Sequence, residues 1–263
     1  MVLYNSKPVF LILISFLLMH HNSMTSFEFP NFHGPYTNDI ITFQGDAFAS
    51  NGVIQLTKIV NDTIIPSSAG RAFYALPKRL WDPKTGKLAS FTSTFSFVVT
   101  TNGPGIGDGI SFFIAPLNST IPNNSGGGYL GLFSPESASD TSRNQIVAVE
   151  FDTFHNPWDP AEAHIGIDIN SIVSVKTVPW QHEDPSSSVT TVFATVTYEP
   201  LAQNLSVIVS YPESIVHEPT ISLSHLIDLT TVLPEWVSVG FSGSTGVLVE
   251  EHEILSWTFS STI

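Results

Sequence analysis

The chain has 263 residues, no cysteine, and 23 acidic against 9 basic side chains, a formal net charge of −14 at pH 7. Only 12% of the residues are charged while 42% are apolar, which supplies a large core and excludes a disordered tail. The acidic balance excludes phosphate-backbone or anionic-membrane binding through a basic surface, and the lack of cysteine excludes a disulfide framework, a thiolate metal site and a cysteine nucleophile.

In chain order, Lys7 precedes an apolar run from Val9 to Met19, followed by polar and small residues up to Ser26. That run is too short to span a bilayer, which takes about 20 residues of helix. Residues 1–25 therefore read as a secretory signal peptide, with cleavage near Ser23–Ser26, and residues 26–263 as one domain. In a secreted chain the triplets Asn61-Asp-Thr, Asn118-Ser-Thr, Asn123-Asn-Ser and Asn204-Leu-Ser are candidate glycosylation sites.

The body of the chain is predicted to be all β. In Phe91-Thr-Ser-Thr-Phe-Ser-Phe-Val-Val, Phe91, Phe95 and Phe97 alternate with Thr92, Thr94 and Ser96. Further β-branched and aromatic runs begin at Val192, Leu205 and Trp236, separated by Gly, Pro, Asn and Asp clusters. The nearest thing to a helical stripe is a short piece around Ser224–Leu229, and 18 prolines disfavour helices generally. One antiparallel sandwich is the economical reading.

The chemistry concentrates in residues 146–174, IVAVEFDTFHNPWDPAEAHIGIDINSIVS. On a strand, Glu150 and Asp152 share a face and repel unless a proton or cation lies between them. Asn156, Asp159 and His164 follow closely, and the Asn-Pro-Trp-Asp-Pro turn should bring Asp159 back towards Asp152. A hard, oxygen-rich set with one imidazole suits Ca²⁺ together with a borderline ion such as Mn²⁺. A second reading is enzymatic, because sandwich glycosidases place paired carboxylates on one strand. Here His155 stands where their third acid would be, and no G-x-S-x-G elbow occurs.

From Ser26-Phe-Glu-Phe to Leu255-Ser-Trp-Thr-Phe the chain resembles the legume lectins. The resemblance is carried by Phe43-Gln-Gly-Asp, Gly70-Arg-Ala-Phe-Tyr, Leu80-Trp-Asp-Pro-Lys-Thr-Gly and Phe91-Thr-Ser-Thr-Phe-Ser-Phe. It continues through Gly107-Asp-Gly-Ile-Ser-Phe-Phe-Ile-Ala-Pro, Gly126-Gly-Gly-Tyr-Leu-Gly-Leu-Phe and Val147-Ala-Val-Glu-Phe-Asp-Thr-Phe. It ends with His164-Ile-Gly-Ile-Asp-Ile-Asn-Ser-Ile and Leu233-Pro-Glu-Trp-Val-Ser-Val-Gly-Phe-Ser. The resemblance implies a jelly-roll β-sandwich with a flat back sheet and a curved front sheet. It implies sugar binding beside a Mn²⁺/Ca²⁺ pair, in homo-oligomers (dimers or tetramers), outside the cell, in the apoplast or in the vacuole.

Carried over residue by residue, the resemblance implies Glu150, Asp152, Asp159 and His164 as Mn²⁺ ligands, with Ser174 holding a bound water. Asp152, Asp159, Asn156 and the Phe154 carbonyl would hold Ca²⁺. The sugar would meet Asp108, the Asn156 amide, the Gly128 N–H, the Phe154 ring and the loop residues Val247 and Leu248. Asp108 in the family follows a cis non-proline bond, and Gly107 replaces the usual alanine. The short loop from Gly246 to His252 resembles that of mannose/glucose binders more than galactose binders, although neither Val247 nor Leu248 has a hydrogen-bonding side chain.

Other features are expected to be plain. Trp81, Trp180, Trp236 and Trp257 read as core or rim aromatics, and Glu250-Glu251 as a solvated loop. His155, His182, His217, His225 and His252 carry no assigned role. The function that follows is a metal-dependent, non-enzymatic lectin for mannose/glucose-type glycans. The alternatives are a storage or defence protein with little sugar affinity, and a sandwich glycosidase.

Overall fold

A computed structural model of the chain describes residues 23–34, 37–100, 105–180, 191–211 and 220–263. Nearly all of the expected leader, His182 and His217 lie outside the described residues. The chain is already in a strand by Met24, which pairs with Thr262 near the end of the sequence.

Two antiparallel eight-stranded sheets form the sandwich expected from the alternating patterns. In the back sheet the long strands Ser90–Thr100, Thr191–Glu199 and Glu251–Thr262 are central. In the front sheet Gly109–Pro116 lies between Val147–Asp152 and Trp236–Ser244, with His164–Ile169 outside Val147–Asp152. Among the described residues helix is limited to the turn Thr37–Ile40 and two 3-10 turns, Gly127–Tyr129 and Leu229–Thr231. The stripe around Ser224–Leu229 is not helical: it belongs to the strand Ile221–Leu226, then to a turn whose start Asp228 caps by accepting from the Thr230 N–H.

The inward faces match the period-two reading. Phe91, Phe95 and Phe97 are buried between the sheets, and Phe95 packs on Phe112, Phe151 and Phe241 at ring distances of 5.9, 6.1 and 4.9 Å. Each such ring contributes roughly 1.5–3 kcal/mol on burial. Ser93 shares that face because its hydroxyl accepts the Trp257 indole N–H at 2.9 Å. Trp180 is likewise a core residue and donates its indole N–H to the Tyr211 hydroxyl. Trp81 is half-buried and Trp236 sits on the rim.

A second, smaller core lies on the other face of the front sheet. Phe113, Ala115 and Ala148 point outward there and are covered by Leu130, Leu132, Phe133 and Ala138. Arg71, itself buried, pins this covering segment: Nε donates to the Gly131 carbonyl at 2.7 Å and Nη2 to that of Leu132 at 3.0 Å. Nη1 reaches the Ser119 hydroxyl at 3.1 Å, and burial pushes the guanidinium down to about 10. The segment so fixed carries Gly127 and Gly128 to the Asp108 and Asn156 side chains.

Candidate functional site

The acidic face is made by register. Asp152 stands opposite His164 on one side and Gly109 on the other, while Glu150 stands opposite Gly166 and Ser111. Gly109, Ser111 and Gly166 leave room for carboxylates on a packed sheet. A Cβ on Gly166 would collide with the Ser174 hydroxyl and with Glu150 Oε1. Glu150, Asp152 and His164 are all buried, and their ligand atoms lie within 4.8 Å of one another. His164 Nε2 is 3.0 Å from Glu150 Oε1. Asp159 lies outside this group of three; its Oδ2 accepts the Asn156 N–H at 2.7 Å, which closes the turn locally.

The cluster is larger than the sequence suggested. Asp168, two positions beyond Gly166 on the same face of the strand, is fully buried. Ser174 Oγ lies 2.5 Å from Glu150 Oε1 and 2.7 Å from Asp168 Oδ1. A hydroxyl carries one proton, so Ser174 donates to only one of them. Period-two spacing from His164 was the signal that could have identified Asp168.

Burial and neighbouring carboxylates raise Asp152, Asp159 and Asp168. Burial pushes Asp152 up to about 10, helped by the charges of Glu150 and Asp159, and pushes Asp159 up to about 6. Asp168 is raised strongly by burial and by Glu150. Burial opposes the charge on His164, but its bond to Glu150 and the charges of Glu150 and Asp159 leave it raised. Glu150 Oε2, Asp168 Oδ2 and Asn156 Oδ1 are buried with no hydrogen-bond partner. Each such atom costs about 1–3 kcal/mol if left unmade. Orphaned oxygens, raised carboxyls and one imidazole fit a bound divalent cation. Glu150, Asp152 and His164 therefore suit a divalent cation.

The expected sugar-contact residues converge beside this cluster. The Gly107–Asp108 peptide is cis. The Asp108 N–H donates to the Ser244 carbonyl at 3.1 Å and its carbonyl accepts the Thr153 N–H at 3.0 Å. Its carboxyl, 4% exposed, is pushed up to about 7 by burial and by Glu250, against a hydrogen bond from Gly246. A Cβ on Gly107 would lie 3.2 Å from that of Phe154 and 3.5 Å from that of Leu248, so glycine here relieves a crowded junction. A Cβ on Gly128 would overlap the Asn156 side chain. The Phe154 N–H donates to Asp152 Oδ1 at 2.8 Å, linking Phe154 to the acidic cluster. Val247 is 95% exposed.

Two expectations are corrected. Glu250 is not solvated: it is fully buried, whereas Glu251 is half-exposed. His252 is not idle either, being fully buried with Nε2 2.9 Å from Glu250 Oε1. The sequence offered no signal for them, since an acidic pair in a loop ordinarily faces water.

The antiparallel two-sheet sandwich, with its buried carboxylate–imidazole cluster on neighbouring strands of the front sheet, is of the jelly-roll class. The legume lectin domain profile matches residues 24–263. Lectin 7 of Medicago truncatula is 54% identical, covering 98% of this chain and 97% of its own. A mannose/glucose-specific lectin of Centrolobium tomentosum is 44% identical, covering 90% of this chain and 96% of its own. Among solved structures, the metal-free form of lectin I-B4 from Griffonia simplicifolia superposes with a TM-score of 0.84 at 44% identity, covering 91% of this chain and all of its own. The lectin UEA-II complexed with galactose does so at 0.80 and 43%, covering 91% and 99%. The chain belongs to the legume lectin family. It is a carbohydrate-binding lectin and not an enzyme, which sets the glycosidase reading aside.

Proposed function

We propose that this lectin binds mannose/glucose-type glycans in a site that depends on Ca²⁺ and Mn²⁺. The observation that carries the reading is the convergence of Asp108, Gly128, Phe154 and Asn156 on the buried Glu150–Asp152–His164 cluster. Glu150, Asp152, Asp159 and His164 would hold Mn²⁺, with Ser174 placing a water. Asp152, Asp159, Asn156 and the Phe154 carbonyl would hold Ca²⁺. Bound cations neutralise the acids and fix the 152–159 turn.

The chain's own residues then do the recognition. Asp108 accepts hydrogen bonds from two sugar hydroxyls, the Asn156 amide and the Gly128 N–H add a donor each, and the Phe154 ring covers the apolar face of the pyranose. The short loop after Gly246 leaves room for an equatorial 4-hydroxyl to reach Asp108. A relative specific for mannose/glucose supports this preference, and a structural neighbour complexed with galactose is the competing case. Methyl mannoside should elute the protein from a glycoprotein column while galactose should not, and chelator should elute it without sugar. Elution by galactose alone overturns the loop argument, and indifference to chelator overturns the metal assignment.

The leader and the sequons support entry into the secretory pathway, with an extracellular, apoplastic or vacuolar destination. Asn61, Asn118 and Asn123 are exposed and would be the glycosylated asparagines, ahead of the half-buried strand residue Asn204. Among the described residues no helix is long and apolar enough to cross a membrane. Assembly into dimers or tetramers is part of the same reading.

A further inference from the structure

The loop that carries Val247 and Leu248 is held at its start by backbone contacts. The Asp108 N–H donates to Ser244 at 3.1 Å, the Gly127 N–H to Thr245 at 3.0 Å and the Ser67 N–H to Gly246 at 3.0 Å. At its far end stands the buried carboxylate of Glu250. Its Oε1 accepts the Thr153 hydroxyl at 2.6 Å and lies 2.9 Å from His252 Nε2. His252 is anchored in turn, with Nδ1 3.2 Å from the Thr57 hydroxyl and its carbonyl accepting the Leu56 N–H at 3.0 Å.

Thr153 is the informative partner. It lies between Asp152 and Phe154, and its N–H donates to the Asp108 carbonyl at 3.0 Å. One residue thus touches the loop end through its side chain and the Asp108 turn through its backbone. Glu250 is fully buried, and its second carboxylate oxygen has no hydrogen-bond partner among the described residues, so holding it at this junction is costly.

We infer that Glu250 is a positioning residue for the sugar site: through Thr153 it ties the loop of Val247 and Leu248 to the segment carrying Asp152, Phe154 and Asp108. The inference rests on the lectin reading of that site. Loop, Asp108 and metal turn then keep one spacing, and a sugar meets them as a preassembled surface instead of ordering the loop itself.

The test uses the full chain loaded with Ca²⁺ and Mn²⁺. Thr153→Val removes the hydroxyl donor at nearly constant shape, Thr153→Ser restores it, and Glu250→Gln weakens the acceptor. Amide hydrogen exchange of residues 246–249 and the Kd for methyl mannoside are measured on each, with Tm as a check on folding. Thr153→Val should speed exchange at 246–249 and weaken sugar binding about tenfold each, with core exchange unchanged. Thr153→Ser should recover both, and Glu250→Gln should show a smaller change in the same direction. Unchanged loop exchange in Thr153→Val, or in Glu250→Gln should the valine variant not fold, overturns the tie. Faster exchange with unaltered affinity overturns the positioning role. If the wild-type protein ignores methyl mannoside and every glycan on an array, the lectin reading itself fails and takes the positioning role with it, whereas loop exchange still reads the tie separately.

Discussion

Gly128 and Asn156 approach so closely that a single methyl group on Gly128 would occupy the space of the Asn156 amide. Gly128 is in a 3-10 turn, while Asn156 is in the turn after the acidic strand, 28 residues further on. The contact joins two segments that only the fold brings together, and it places an N–H donor and an amide side by side.

Gly128→Ala should therefore displace Asn156 and weaken glycan binding while leaving the sandwich intact. Crowding of this kind costs about 1–3 kcal/mol, which corresponds to roughly five- to 150-fold in affinity. Calorimetric titration with methyl mannoside measures it. Wild-type affinity in this variant would remove Asn156 from the site.

Asp108→Asn keeps the size of a buried side chain and removes its charge-assisted acceptor. Sugar affinity should fall by about 1.5–3 kcal/mol while the far-UV spectrum and metal content stay unchanged. Loss of metal in this variant would show that Asp108 belongs to the cation cluster and not to the sugar face.

Cations that bind only the folded state should raise its stability by about 2.7 kcal/mol at a concentration 100 times their Kd. Chelation should lower Tm and abolish sugar binding together, and adding back both ions should restore both. Asp152→Ala should mimic the chelated protein and no longer respond to metal. Asp168→Asn probes the carboxyl absent from the expected ligand set. If its Oδ2 supports the bound ion, metal affinity falls about 10–100-fold, as for partners just outside a coordination shell. Unchanged affinity would mark Asp168 as a packing residue alone.

Arg71→Met should loosen the segment that carries Gly128, because it leaves the Gly131 and Leu132 carbonyls without their donors. Each unpaired carbonyl costs about 1–3 kcal/mol, so Tm should drop and limited proteolysis should open residues 117–133 first. A protein equally resistant to cleavage would show that the small core around Phe113 and Leu130 holds the segment unaided.

Period-two alternation at Phe91–Phe97 and the Glu150-x-Asp152 spacing were legible because each depends only on local backbone geometry. The family motifs carried the fold and the lectin class. Asp168 was legible in principle, since it repeats the spacing of His164 along the same strand. What stayed hidden was burial. Glu250 and His252 look like loop residues in the sequence, and become buried only when residues 57, 153 and 250 meet from three distant segments. Arg71 looks like any surface cation until the loop from Ser119 to Leu132 closes over it. A sequence determines which faces are apolar and where donors recur. Whether a polar group is dry depends on long-range neighbours, and only the tertiary structure decided that.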